Sequence, residues 1–315
     1  MRAPIHRTIR SVARFRHLVL LLLCGSLPGA SPARAHEPLR VVATTADLGA
    51  LAREIGADRV RVSVLALPTQ DPHWVDARPS LALELSRADL LLYVGLDLEV
   101  GWLPTLLLGA RNPRIQPGAP GHLDCSQFVD VLEVPTGRVD RAQGDVHPHG
   151  NPHYMLDPRR VVRVVRGIAD RLGRLQPAAA SHYRSSAEAL VGRIERARLD
   201  WERRLARLRG TNAVSYHRSV SYLADWLGLR FVGHVEPRPG IPPNPRHVAQ
   251  LIAAARAAGA RLLVQESWHP TNTSRLIAER AGMRLVVLPT GPDVRRGESW
   301  TRYMDRLVTA LEAVP

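Results

Sequence analysis

The feature that most narrows the fold is an alternation that occurs twice. Short apolar runs are followed by amphipathic stretches of helix length, first between residues 39 and 110 and again between 212 and 314. "LRVVATT" (39–45), "VRVSVLAL" (60–67) and "LLLYVG" (90–95) read as strands, and their β-branched and leucine-rich composition calls for cover on both faces. Between them, "DLGALAREIG", "RPSLALELSRAD" and "LEVGWLPTLLLGA" read as helices, the first opened by Asp47 and closed by Gly56. Strands separated by helices of this length pair in parallel through right-handed crossovers. The second series follows the same rule. It runs "NAVSYH", "SVSYLADWLG", "RFVGHVE", "NPRHVAQLIAAARAAG", "RLLVQES", "TNTSRLIAERAG", "RLVVLPT" and "WTRYMDRLVTALEAV".

The segment between the two series contains helix formers almost throughout, with Pro177 as its one strong interruption. Residues 177–208 could form about thirty residues of continuous helix, roughly 45 Å long. Leu190, Ile194, Ala197, Trp201 and Leu205 keep one apolar stripe along it. The expected fold class is therefore α/β: two lobes, each a mainly parallel sheet flanked by helices, joined by one long rigid helix. The expected divisions are 36–157 for the N-terminal lobe, 158–210 for the linking helices and 211–315 for the C-terminal lobe.

Residues 1–35 read as a segment apart from the fold. Arginines without acids lead into "LVLLLLCGSL", and "ARA" at 33–35 supplies a small-x-small cleavage pattern. This predicts a secretory signal peptide whose apolar run is too short to span a membrane, a mature chain beginning near His36, and a periplasmic location. Cleavage would remove Cys24 and leave Cys125 alone, so no internal disulfide could form.

The chain contains no lysine, so its basic charge is entirely arginine. Without residues 1–35, 37 arginines stand against 29 acids, spread along helices rather than gathered in a patch. No nucleic-acid partner is expected. The missing lysine excludes a Walker site, Schiff-base chemistry and an S-x-x-K nucleophile pair. G-x-G-x-x-G, G-x-S-x-G and H-E-x-x-H are also absent.

The histidines carry the chemical signal. Open parallel sheets bind ligands beyond the carboxyl ends of their strands. His73 lies in "PTQDPH" after the strand at 60–67, His217 directly follows "NAVSY", and Glu266 ends "LLVQE" with His269 three residues on. His153 stands where "GDVHPHGNPHYMLDP" enters the linking helices. Each falls where a cleft between the lobes would find it, although position alone would also admit His234. His147 and His149 share the same proline-stiffened loop, a composition compatible with auxiliary metal contact or with plain solvation.

Taken in order, these segments resemble the zinc/manganese-type metal-binding solute receptors of ABC importers. The resemblance runs from "PLRVVATTADLGALAREIG" through "TQDPHWVDARPS", "NPHYMLDP", "VSYHRSVSYLADWLGL" and "HVEPRPGIPPNPRHVAQLI" to "VQESWHPTNTSRLIAERAG", and so covers the mature chain. It implies two α/β lobes joined by a long helix, one divalent metal held in the cleft, and delivery to a permease in the inner membrane by a monomeric receptor. It also implies His73, His153 and His217 as metal ligands. The family often supplies an aspartate after the last strand, but here that place reads "LPTGPD". Glu266 is the preferred substitute, with Asp293 or a water as alternatives. Three imidazoles and at most one acid favour Zn²⁺ as the transported ion, since Mn²⁺ prefers carboxylate oxygen. The competing readings are a manganese or iron receptor on the same fold and a secreted zinc hydrolase.

Overall fold

A computed structural model describes residues 37–137, 139 and 147–313. The expected signal peptide and its cleavage point lie outside the described residues. No helix among them is long and apolar enough to cross a membrane.

Each alternating series closes into a four-stranded, fully parallel sheet. In the first, β1 (Leu39–Ala43) lies between β2 (Val60–Val64) and β3 (Leu90–Tyr93), with β4 (His122–Asp124) outside β3. In the second, β5 (Asn212–Ser215) lies between β6 (Arg230–His234) and β7 (Leu262–Glu266), with β8 (Arg284–Leu288) outside β7. The two sheets share one strand order. Its first strand sits inside the sheet, and the chain leaves it to one side and then to the other, which opens a crevice at the strands' carboxyl ends.

The crossovers are α1 (Ala46–Gly56), α2 (Pro79–Ser86) and α3 (Leu103–Ala110) in the first lobe. In the second they are α6 (Ser221–Leu227), α7 (Pro245–Ala257) and α8 (Thr271–Ala281), and α9 (Trp300–Glu312) follows the last strand. The middle segment folds into two packed helices, α4 (Pro158–Leu175) and α5 (Ala180–Arg204). At 25 residues α5 is about 38 Å long. It is shorter than the sequence suggests because residues 177–179 and 206–208 tighten into 3₁₀ turns at its ends. The helix expected at 98–110 begins only at Leu103, after a left-handed stretch at 95–97 and successive turns through Trp102.

One continuous apolar core crosses both lobes. It takes in Leu48, Leu51 and Ile55 of α1, Leu190 and Ile194 of α5, and Met304, Leu307 and Leu311 of α9, all fully buried. Trp201 of α5 sits between Trp226 and Trp300, with ring centroids 6.1 and 6.2 Å away in edge-to-face arrangement. Aromatic pairs of this geometry add roughly 0.5–1.5 kcal/mol each beyond their buried area. A core shared in this way ties the lobes along the helix side and leaves the loops at the strand ends as the adjustable part.

Candidate metal centre

Among the described residues, one group of three ligating side chains converges: His73, His153 and His217 each offer an atom within 4.8 Å of the other two. Their ring centroids are 5.1 to 5.5 Å apart, and the planes are steeply inclined to one another. Each ring arrives from a different element and is held by different means.

His73 lies on the loop between β2 and α2. Asp71 accepts both the His73 backbone N–H at 3.0 Å and its Nδ1 at 2.7 Å, a local turn that the D-P-H spacing makes possible. The buried indole of Trp102 donates to the Pro72 carbonyl at 2.9 Å and fixes the loop from the far side. Burial opposes charge on Asp71, but its bonds to His73 and the nearby His217 outweigh this and hold its carboxyl below the usual range. His217 lies two residues past the end of β5. Its Nδ1 meets Oε2 of Glu236 at 2.7 Å, and that oxygen also accepts from the Gly240 N–H at 3.0 Å. In both pairs a carboxylate fixes the Nδ1–H tautomer and leaves the Nε2 lone pair pointing into the cluster, as metal-bound histidines require.

His153 is positioned through its backbone. Asn151 Oδ1 accepts its N–H at 2.9 Å, while Asn151 Nδ2 donates across the cleft to the Arg218 carbonyl at 2.8 Å. The Tyr222 hydroxyl of α6 donates to the Asn151 carbonyl at 2.7 Å and accepts from the Leu132 N–H at 2.9 Å. The loop carrying His153 is thus fastened beside His217. Its own Nε2 is buried with no hydrogen-bond partner. A buried imidazole nitrogen without a partner costs free energy unless something fills the position. Burial first, and then the neighbouring imidazoles, keep His153 neutral far below the ordinary histidine range. That ring therefore offers a lone pair rather than a charge, which suits a cation.

His147 also reaches this region. Its Nε2 is 3.2 Å from Nε2 of His73, with ring centroids 5.3 Å apart. Burial and the adjacent His73 and His217 lower its pKa to about 3. His149, two residues on, is exposed and lines a separate groove against α3.

The two acids are placed differently. Glu266, the last residue of β7, does not join the cluster. One of its oxygens accepts from Ser219 Oγ, and the other is buried without a hydrogen bond, 3.6 Å from His269 Nε2. Burial raises its pKa to about 8. With His153, Asp47 and Tyr303 it lines a cavity of about 90 Å³ between the lobes. Asp293 is half-exposed and caps the turn at 294–296, accepting from the Arg295 and Arg296 N–H groups. His269 stacks on Tyr216 at 4.0 Å, and its Nε2 accepts from the Trp268 indole. His234 is held by Ser215 Oγ at 2.7 Å.

The sequence reading did not single out Asp71, Glu236, Asn151 or Tyr222. Asp71 carries a readable signal, two residues before a candidate ligand. Glu236 meets His217 from 19 residues away, through pairing of β5 with β6, and nothing local announces it.

The chain is of the two-lobed α/β class whose parallel sheets present their strands' carboxyl ends to a shared cleft. The family described as "ZnuA: Zinc-uptake complex component A periplasmic" matches residues 41–314, and this chain belongs to it. Among curated relatives, the zinc-binding lipoprotein AdcA of Streptococcus pneumoniae serotype 4 is 22% identical over 292 residues, 89% of this chain. The chain spans little more than half of that relative, 56% of its length. A crystal structure of ZnuA superposes with a TM-score of 0.73 at 22% identity, covering 88% of this chain and 99% of the other. A Mn-bound periplasmic metal-binding protein from Candidatus Liberibacter asiaticus gives 0.72 at 18% identity, covering 87% and 98%.

Proposed function

We propose that this protein is the metal-capturing receptor of an ABC importer, that it binds one zinc ion through His73, His153 and His217, and that it delivers the ion to a membrane permease. The observation that carries the reading is the convergence of three imidazoles, two tautomerically fixed by carboxylates and the third with a buried, unpartnered nitrogen. Nitrogen donors at about 2.0–2.1 Å suit tetrahedral Zn²⁺, whereas Mn²⁺ would call for more carboxylate oxygen than the cluster supplies. The zinc-binding description of AdcA agrees with this choice.

In this reading the chain is exported to the periplasm after removal of residues 1–35 and acts as a monomer. Residues 36–157 and 211–315 form the metal-binding lobes on either side of the linking helices at 158–210. His73 comes from the first lobe and His217 from the second, so the ion ties the two together. The shared core argues against wide hinge opening, and loop movement at His73 then admits and releases the ion. A hydrolytic role would need a carboxylate base beside a metal-bound water. Burial raises the pKa of Glu266 to about 8, which opposes the carboxylate form a base needs, and Ser219 engages it.

Calorimetry on the metal-free mature protein tests the proposal. One zinc should bind per chain, more tightly than manganese, and His73→Ala or His217→Ala should abolish the high-affinity phase. Unchanged zinc affinity in either variant would remove the site.

A further inference from the structure

We infer that the turn between β3 and α3 is the common mount of the two imidazoles that come from the first lobe's side of the cleft, His73 and His153. Glu99 is the positioning residue that holds this mount and thereby sets how fast zinc leaves. The inference rests on the zinc-receptor reading above and adds to it what keeps the site closed.

The loop that carries His73 is thinly attached. Its bonds run mainly within itself: the Trp74 N–H to the Asp71 carbonyl at 3.1 Å, Gln70 Nε2 to the Trp74 carbonyl at 3.2 Å, and His73 to Asp71. Two buried side chains tie it to the lobe. Val75 packs in an apolar cluster with Leu65, Leu85 and Leu106, and the Trp102 indole, in the same cluster, donates to the Pro72 carbonyl at 2.9 Å. The Pro72 carbonyl and the His73 N–H belong to one peptide. That peptide is therefore held by Trp102 on one side and by Asp71 on the other, and the His73 ring follows it.

The same turn reaches His153. Its neighbour Tyr154 is fully buried, and the Tyr154 hydroxyl donates to the Val94 carbonyl at 2.7 Å. The peptide joining Val94 to Gly95 is also gripped from both sides, since the Gly95 N–H donates to Glu99 Oε2 at 3.1 Å. Glu99 is buried, and its Oε1 accepts the Val94 N–H at 2.8 Å and the Thr44 hydroxyl at 2.6 Å. Its backbone carbonyl accepts the Trp102 N–H at 3.2 Å. One residue thus fixes both the peptide on which Tyr154 hangs and the backbone from which Trp102 projects.

The turn needs such a grip. Gly95, Leu96 and Asp97 follow one another with φ of 83°, 53° and 64°. This backbone is unfavourable for leucine and persists only where the surroundings enforce it. A Cβ at position 95 would lie 2.1 Å from Asp124 Oδ1, so glycine is required there. Because the shared core joins the lobes along the helix side, the ion leaves by movement of the His73 loop, and that movement must break the Trp102–Pro72 bond or carry the turn with it.

Stopped-flow release of zinc into excess chelator, measured on the zinc-loaded mature chain, tests this. Trp102→Phe and Glu99→Gln should each release zinc about tenfold faster than wild type, the lower end of what loss of an outer partner costs a metal site. Glutamine keeps the shape of Glu99 but turns an amide N–H toward a backbone donor. The double variant should release zinc within about twofold of the faster single one, because both residues act through one mount. Trp226→Phe removes another buried indole N–H, donated to Glu202 at 2.9 Å where α6 packs on α5, and should leave the rate unchanged. If Glu99→Gln does not fold, the comparison of Trp102→Phe with Trp226→Phe decides alone. A Trp102→Phe rate within about twofold of wild type, equal acceleration in Trp226→Phe, or single effects that multiply in the double variant would each overturn the inference and leave the receptor reading intact. A wild-type chain that takes up no zinc would overturn both.

Discussion

Replacing Asp71 with asparagine changes the charge behind a proposed ligand while leaving its geometry in place. Asparagine keeps an oxygen able to accept the His73 N–H and Nδ1–H, now at 3.0 and 2.7 Å. What it loses is the negative charge. A hydrogen bond to a charged group contributes about 1.5–3 kcal/mol, against about 0.5–1.5 for a neutral pair, so the direct loss is roughly 1–1.5 kcal/mol. Once a dication sits on Nε2, the carboxylate also stabilises the polarised ring. Outer-partner substitutions in metal sites accordingly cost about 10–100-fold in affinity, or about 1.4–2.7 kcal/mol. Asp71→Asn should therefore weaken zinc binding by that factor in competition with a chelator of known affinity, while the metal-free protein loses only the direct part, a fall of a few degrees in its thermal midpoint. Glu236→Gln should act alike on His217. Affinity within twofold of wild type in both variants would show that these carboxylates do not support bound imidazoles, and the argument from tautomer fixation would fail.

Glu266→Gln separates a buried acid from a metal ligand. Because the folded pKa of Glu266 is raised to about 8, well above its unfolded value, the stability it contributes is fully present below about pH 4.5 and lost as pH rises through 8. Glutamine can still accept from Ser219, so the metal-free variant should be more stable than wild type at pH 7 by on the order of 1–3 kcal/mol, with the advantage fading near pH 4. Denaturant titrations at the two pH values would measure this, and zinc affinity should stay within about threefold because Glu266 lies outside the three-imidazole cluster; a hundredfold loss would make Glu266 a ligand. Tyr222→Phe removes a hydroxyl that both donates to Asn151 and accepts from Leu132. Leaving those backbone groups unpaired should cost about 1–3 kcal/mol of stability and weaken zinc binding through His153, with His73 unaffected; unchanged urea midpoint and affinity would show that this fastening has no role.

The fold could be read from the sequence because it follows from periodicity. Unalternating apolar runs between helix-length segments leave parallel sheets as almost the only arrangement, and the stripe from Leu190 to Leu205 marks the buried side of α5. Two parts were hidden for physical reasons. β4 has only three residues, His122–Asp124, too few to show any period. The turn at 95–97 places leucine and aspartate in a conformation for which neither is a sequence signal, and Glu99, which holds it, acts through backbone groups. At the site, strand-end position marked His73 and His217 but also His234 and His269, the entry to the linking helices marked His153, and the resemblance singled out the three that converge. Position could not distinguish His147 from His149, since the turn through Pro148 that points them apart exists only in three dimensions. Glu266 satisfied the same positional rule, yet its side chain turns toward Ser219 and the small cavity behind His153.

The central claim is that three imidazoles distant along the chain share one ion, and anomalous diffraction from crystals grown with equimolar zinc tests it most directly. One peak at the zinc edge should lie within about 2.0–2.1 Å of the Nε2 atoms of His73, His153 and His217. A peak elsewhere on the molecule, with those nitrogens facing only water, would contradict the account.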